Sequence, residues 1–132
     1  MTIAKKLGIW MDHAHAFPTE YSTNPVKIPH IESQFTHGDK TNALNKSEHL
    51  MHNQEKHEQS TYYKKVGEVM RNYDEVLLFG PTDAKTELLN VLRADHRFEK
   101  IIIEVQQTDK MSAHDQQTFI NEYFSNKRDY PS

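Results

Sequence analysis

The sequence predicts one α/β domain, with elements in the order β-β-β-α-β-α-β-α around a mixed five-stranded sheet. Three observations carry this reading. Short, alternating apolar runs joined by turn residues occupy the first third of the chain. Helical periodicity takes over beyond residue 50. Two unbroken apolar runs, Val76-Leu77-Leu78-Phe79 and Ile101-Ile102-Ile103, then flank a helical stripe, and such runs suit strands covered on both faces. At 132 residues the chain has the size of one domain, expected over 1–125, with a loop at 36–50 and a tail at 126–132.

Leu7, Ile9 and Met11 alternate, which places a strand over Lys6 to Asp12. A polar break at Asp12-His13 precedes a second strand, His15 to Tyr21. Ser22-Thr23-Asn24-Pro25 precedes a third, Val26 to Phe35. Connections this short favour an antiparallel meander. Pro18 predicts a local irregularity, and Pro29 predicts that the third strand lies at an edge. Thr36 to Leu50 lacks periodicity and is expected to be a mobile loop.

Tyr62, Val66, Val69, Met70 and Tyr73 recur at helical spacing, giving a helix over Gln54 to Asn72. A buried strand follows over Glu75 to Gly80. Gly80-Pro81-Thr82-Asp83 then opens a helix, Pro81 taking its first position, with Ala84, Leu88, Val91 and Leu92 as the apolar stripe. Lys100 to Gln106 reads as another buried strand. Ser112-Ala113-His114-Asp115 resembles a capping box, and the helix it opens would bury Phe119, Ile120, Tyr123 and Phe124. With the right-handed crossover rule, this order gives strand order 3-2-1-4-5, that of ribonuclease H-like folds.

Composition narrows the function classes. There are no cysteines, so disulfides, iron–sulfur clusters and thiolate zinc sites are excluded. Met1-Thr2-Ile3-Ala4-Lys5-Lys6 is not the apolar run of a signal peptide. No stretch reaches the roughly 18 apolar residues of a membrane span. A cytoplasmic location without a membrane partner is expected. A net charge of −3 argues against a general nucleic-acid coat, although nine histidines would reverse its sign on protonation.

Three segments resemble the middle domain of eukaryotic- and archaeal-type peptide-chain release factors and Pelota. Leu78-Phe79-Gly80-Pro81-Thr82-Asp83-Ala84-Lys85-Thr86-Glu87-Leu88 is similar to the family's buried strand, glycine turn and Lys-Thr-Glu-Leu helix start. Met11-Asp12-His13-Ala14-His15-Ala16-Phe17 resembles its first hairpin. Tyr62-Tyr63-Lys64-Lys65-Val66-Gly67-Glu68 resembles the helix after its catalytic loop. The resemblance covers most of the chain in the family's order, and it implies a single-domain bacterial relative. Release factors present Gly-Gly-Gln between third strand and first helix. Here the region begins Thr36-His37-Gly38-Asp39-Lys40-Thr41-Asn42 and holds no such tripeptide, so peptidyl-tRNA hydrolysis is not expected. Pelota-type proteins also lack the tripeptide and act on stalled ribosomes.

The resemblance implies a non-enzymatic, translation-associated module with no cofactor, contacting the ribosome, its RNA or a translation factor. Its candidate contacts are His37, Lys40, Lys46, His49, His52, Lys56, His57 and Lys64, with Thr82, Asp83 and Lys85 at the second helix start. From Lys46 to Arg71 five basic residues face four acidic ones, a balance that a solvated helix face also gives. Protonation of His49, His52 and His57 would strengthen anion binding in acid.

The alternative is a metal-dependent ribonuclease H-like nuclease. It needs carboxylates converging from the first strand, first helix and fourth strand, and Asp12, Glu58 (or Glu55) and Asp83 stand in those places. A turn aspartate and a helix-start aspartate are ordinary structural choices as well. A third possibility is a transition-metal site. His13 and His15 would share one side of a strand, and His52 and His57 lie close in a helix start, but neither pair has helical zinc spacing. Surface histidine is the simpler reading of both. Tyr62 fits the core, whereas Tyr63 is the more open of the two and could stack on a base. No Ser-His-Asp set or dinucleotide glycine motif is present.

Overall fold

The computed structural model describes residues 4–23, 26–33 and 48–127, excluding the side chains of 48–58 and 127. The central strands are those with the densest apolar sequence. β1 (Lys6–Met11) and β4 (Glu75–Gly80) lie parallel, in register from Lys6↔Glu75 to Trp10↔Phe79. β2 (His15–Tyr21) runs antiparallel to β1, β3 (Ile31–Glu32) pairs with β2, and β5 (Ile102–Gln107) lies parallel to β4. The order is β3-β2-β1-β4-β5, the mixed α/β sheet of a ribonuclease H-like fold.

Side-chain alternation on the central strands separates two layers of helix. Leu7, Ile9, Met11, Val76 and Leu78 pack beneath α1 (Glu48–Met70) and α2 (Ala84–Arg93), against Tyr62, Val66, Leu88 and Leu92. Trp10, Leu77 and Phe79 face the other way, onto Ile120 and Phe124 of α3 (Ala113–Lys127). Val76, Leu77, Leu78 and Phe79 are each 0% exposed, as a strand covered on both faces requires. α3 sits close over β1: a Cβ on Gly8 would stand 2.4 Å from Ile120 Cγ1. Ser112 Oγ accepts from Asp115 N at 3.1 Å, the N-cap expected there.

Several features differ from the sequence expectation. β1 stops at Met11 rather than Asp12, because Asp12 turns the chain. β2 crosses Pro18 without a bulge, opposite Ile9, so the irregularity is absent. β3 is two residues long rather than ten. Its register, His15↔Glu32 and Ala16↔Ile31, would next set Phe17 opposite His30 and Pro18 opposite Pro29. Two facing prolines supply no N–H, so the ladder ends there. α1 begins at Glu48, which takes 48–50 out of the expected loop; residues 36–47, like 128–132 of the tail, lie outside the described residues. α2 begins at Ala84 with Asp83 as its N-cap residue, so Pro81 lies in the turn and not in the helix.

β5 is an edge strand, running from Ile102 rather than Lys100. It is not buried on both faces. Ile103 and Val105 pack on the α1–α2 side, while Ile102 is 59% exposed because α3 lies over β1 and β2 instead. Among the described residues, no helix is long and apolar enough to cross a membrane.

Candidate functional site

The polar side chains gather where β1 and β4 end, beside the start of α2. Gly80 makes this approach possible. Its φ is +153° and a Cβ there would stand 2.1 Å from the Met11 carbonyl oxygen, so only glycine lets β4 end against β1. Asp12 then builds the hairpin turn: its Oδ1 accepts from Ala14 N at 2.8 Å and His15 N at 2.7 Å. Tyr62 from α1 donates its hydroxyl to the Asp12 carbonyl at 2.8 Å, and burial followed by the Asp12 charge raises the phenol's pKa.

Next to this turn, Tyr63 OH donates to Glu87 Oε1 at 2.6 Å, and His13 Nε2 lies 3.4 Å from Glu87 Oε2. The hydrogen bond from Tyr63, helped by His13, holds the Glu87 carboxyl below its usual range against the opposing effect of burial. Burial raises the Tyr63 phenol, and Glu87 reinforces this. Tyr63 is only 5% exposed, which removes it as the open stacking platform the sequence indicated.

Lys85 is the buried cation of the site. It is 2% exposed, and its Nζ donates to the Thr82 carbonyl at 2.5 Å and to Gln107 Oε1 at 2.8 Å. Gln107 Nε2 in turn donates to the Pro81 carbonyl at 3.1 Å. Burial pushes the Lys85 ammonium pKa down, opposed by the charge of Asp83. Thr82 Oγ1 accepts from Ala84 N at 3.2 Å. The ammonium therefore clamps the ends of β4 and β5 together.

Of the sequence candidates, Asp12, Thr82, Asp83 and Lys85 all belong to this end of the sheet. Lys64 is exposed on α1. His37, Lys40 and Lys46 lie outside the described residues. His49, His52, Lys56, His57 and Glu58 lie in α1, their side chains outside the description. Gln59 Nε2 donates to the His13 carbonyl at 3.3 Å, which fixes α1 against the hairpin. The eleven residues of α1 before Gln59 rise about 16 Å and so continue past the end of the sheet.

The structure separates His13 from His15. His13 turns to Glu87, whereas His15 faces His30 and Glu32. Among the described residues, His15, His30 and Glu32 are the group of three metal-capable side chains brought together. Asp12 and Asp83 are not part of it. Tyr63, Glu87, Gln107, His30 and Glu32 were missed as polar partners. Glu87 was visible inside the Lys-Thr-Glu-Leu segment. For His30 the signal lay in the prolines, since setting Pro18 opposite Pro29 brings His30 beside Phe17 and Glu32 beside His15.

No protein-family model and no curated protein matches the sequence. Solved structures do match the fold. Pelota from Archaeoglobus fulgidus superposes with a TM-score of 0.61 at 9% identity, over 96% of this chain and 33% of that one. The Thermoplasma acidophilum Pelota protein gives a TM-score of 0.56 at 12% identity, over 89% of this chain and 32% of that one. The chain thus spans about a third of the length of each. At these identities the likeness is one of fold.

Proposed function

We propose that this chain is a non-catalytic, translation-associated binding module, built like the middle domain of a release factor or Pelota but without Gly-Gly-Gln. The observation that carries this reading is the fold match along 96% of the chain to a Pelota protein, joined to the Leu78–Leu88 segment that resembles the release-factor family. The proposed contact surface is the 36–58 region and the exposed side of α1: His37, Lys40, Lys46, His49, His52, Lys56, His57 and Lys64, with Thr82 and Asp83 at the adjoining turn. Lys85 holds that turn from beneath. The proposed partner is the ribosome, its RNA or a translation factor, in the cytoplasm.

The side chains support a binding role over catalysis. Asp12 uses one carboxylate oxygen, Oδ1, to accept from two backbone N–H groups, the ordinary role of a turn aspartate. The test is sucrose-gradient sedimentation of the protein from growing and starved cells, at low and high salt. Salt-sensitive migration with ribosomal particles is the expected result, since phosphate contacts weaken as counterions compete. Protein remaining at the top of the gradient in every condition would remove the reading. Mg²⁺- or Mn²⁺-dependent RNA cleavage abolished by Asp12→Asn would replace it with the nuclease.

A further inference from the structure

The β2–β3 edge carries a second cluster of chemistry, independent of the translation reading. His15 and Glu32 are cross-strand partners, and His30 lies two residues before Glu32, so all three side chains share one face. His15 Nδ1 is 3.2 Å from His30 Nε2 and 3.7 Å from Glu32 Oε2. All three donor atoms lie within 4.8 Å of one another.

We infer that His15, His30 and Glu32 form a divalent transition-metal site, with zinc the metal it fits best. Nitrogens held about 2.0–2.1 Å from a tetrahedral zinc stand about 3.3 Å apart, and nitrogen–oxygen edges are about as long. The two observed separations approximate those edges, so a zinc ion fits between the donors with small side-chain movements. Two imidazoles and one carboxylate suit zinc, and no thiolate is required.

Rigidity favours the site. The Phe17 ring stacks on His30 at 4.6 Å with 8° between planes, and Trp10 braces Phe17 at 5.7 Å. The His15 backbone is pinned by the Asp12 turn. Three protein ligands leave a fourth position for water or an incoming group. A bound ion also fastens the two-residue β3 to β2, a pairing with little backbone hydrogen bonding of its own.

Isothermal titration of the untagged 132-residue chain with Zn²⁺ tests this, with Co²⁺ absorption reporting the geometry. One equivalent is expected, with a four-coordinate cobalt spectrum. His30→Ala and Glu32→Gln, both at exposed positions, should each weaken it at least tenfold. His96→Ala, at a side chain 99% exposed beside Glu99, should leave it unchanged. Absence of saturable binding overturns the site. So does one-equivalent binding that survives both variants, because the ion then sits on other histidines.

Discussion

Two polar clusters among the described residues use their side chains in different ways. At the end of β4, the buried Lys85 and Tyr63 take the exposed Gln107 and Glu87, together with the backbone, as their partners. At the β2–β3 edge, His30 and Glu32 are exposed, His15 is half-buried, and the three place several donor atoms side by side. Lys85 and Tyr63 are buried, and a polar group withdrawn from water must have a partner or cost stability. The edge residues carry no such obligation. Lys85 and Tyr63 therefore read as scaffold, and the proposed contact surface consists of exposed side chains around them.

Breaking the scaffold should give the largest effect. Gly80→Ala puts a Cβ against the Met11 carbonyl at a φ that alanine rarely adopts. A loss of about 3 kcal/mol or more is expected in urea denaturation. A loss under about 1 kcal/mol would mean that the β1–β4 junction is far more pliant than described.

Lys85→Ala removes the clamp between Thr82 and Gln107 together with a buried stem, and should cost about 2–3 kcal/mol. Its pH dependence has a definite sign. The folded chain gives up the Lys85 proton below the ordinary value of 10.5, so folding releases a proton in that alkaline window. The cost of burying the ammonium is complete below the folded pKa and fades as pH rises toward 10.5. The gap between wild type and Lys85→Ala should therefore widen in mild alkali. Denaturation curves at several alkaline pH values measure it.

Glu87→Gln should cost less, about 0.5–1 kcal/mol at neutral pH, because the side chain is half exposed and its ionic contacts are screened. Here the sign reverses. The folded carboxyl titrates below its ordinary 4.5, so its contribution is complete above that value and is lost as pH falls through the folded pKa. Wild type and variant should converge in acid. A gap that persists there would show that Tyr63 does not depend on the charge of Glu87.

The same contrast explains what could be read in the sequence. The central sheet was legible because Val76 to Phe79 and the Leu7–Ile9–Met11 alternation record burial directly. The first six residues of α1 were not, since a helix running past the sheet needs no apolar stripe to mark it. β3 was overextended because an edge defined by two facing prolines shows only once the register is known. β5 looked doubly buried because three isoleucines do not say which face lacks a helix. The scaffold cluster was half legible: Lys85 and Thr82 stood in a recognisable segment, while Gln107 and Tyr63 join them only through the fold. His15, His30 and Glu32 had no motif spacing to announce them.

The most direct measurement of the central claim compares Lys64→Glu with Lys85→Ala for co-pelleting with purified ribosomes, at a temperature where both variants are folded. Lys64 is exposed on α1, so its reversal should change stability by less than about 0.5 kcal/mol while clearly reducing the ribosome-bound fraction. Lys85→Ala should be destabilised and still bind. Loss of binding only in Lys85→Ala, with Lys64→Glu binding as wild type, would contradict the division between scaffold and surface.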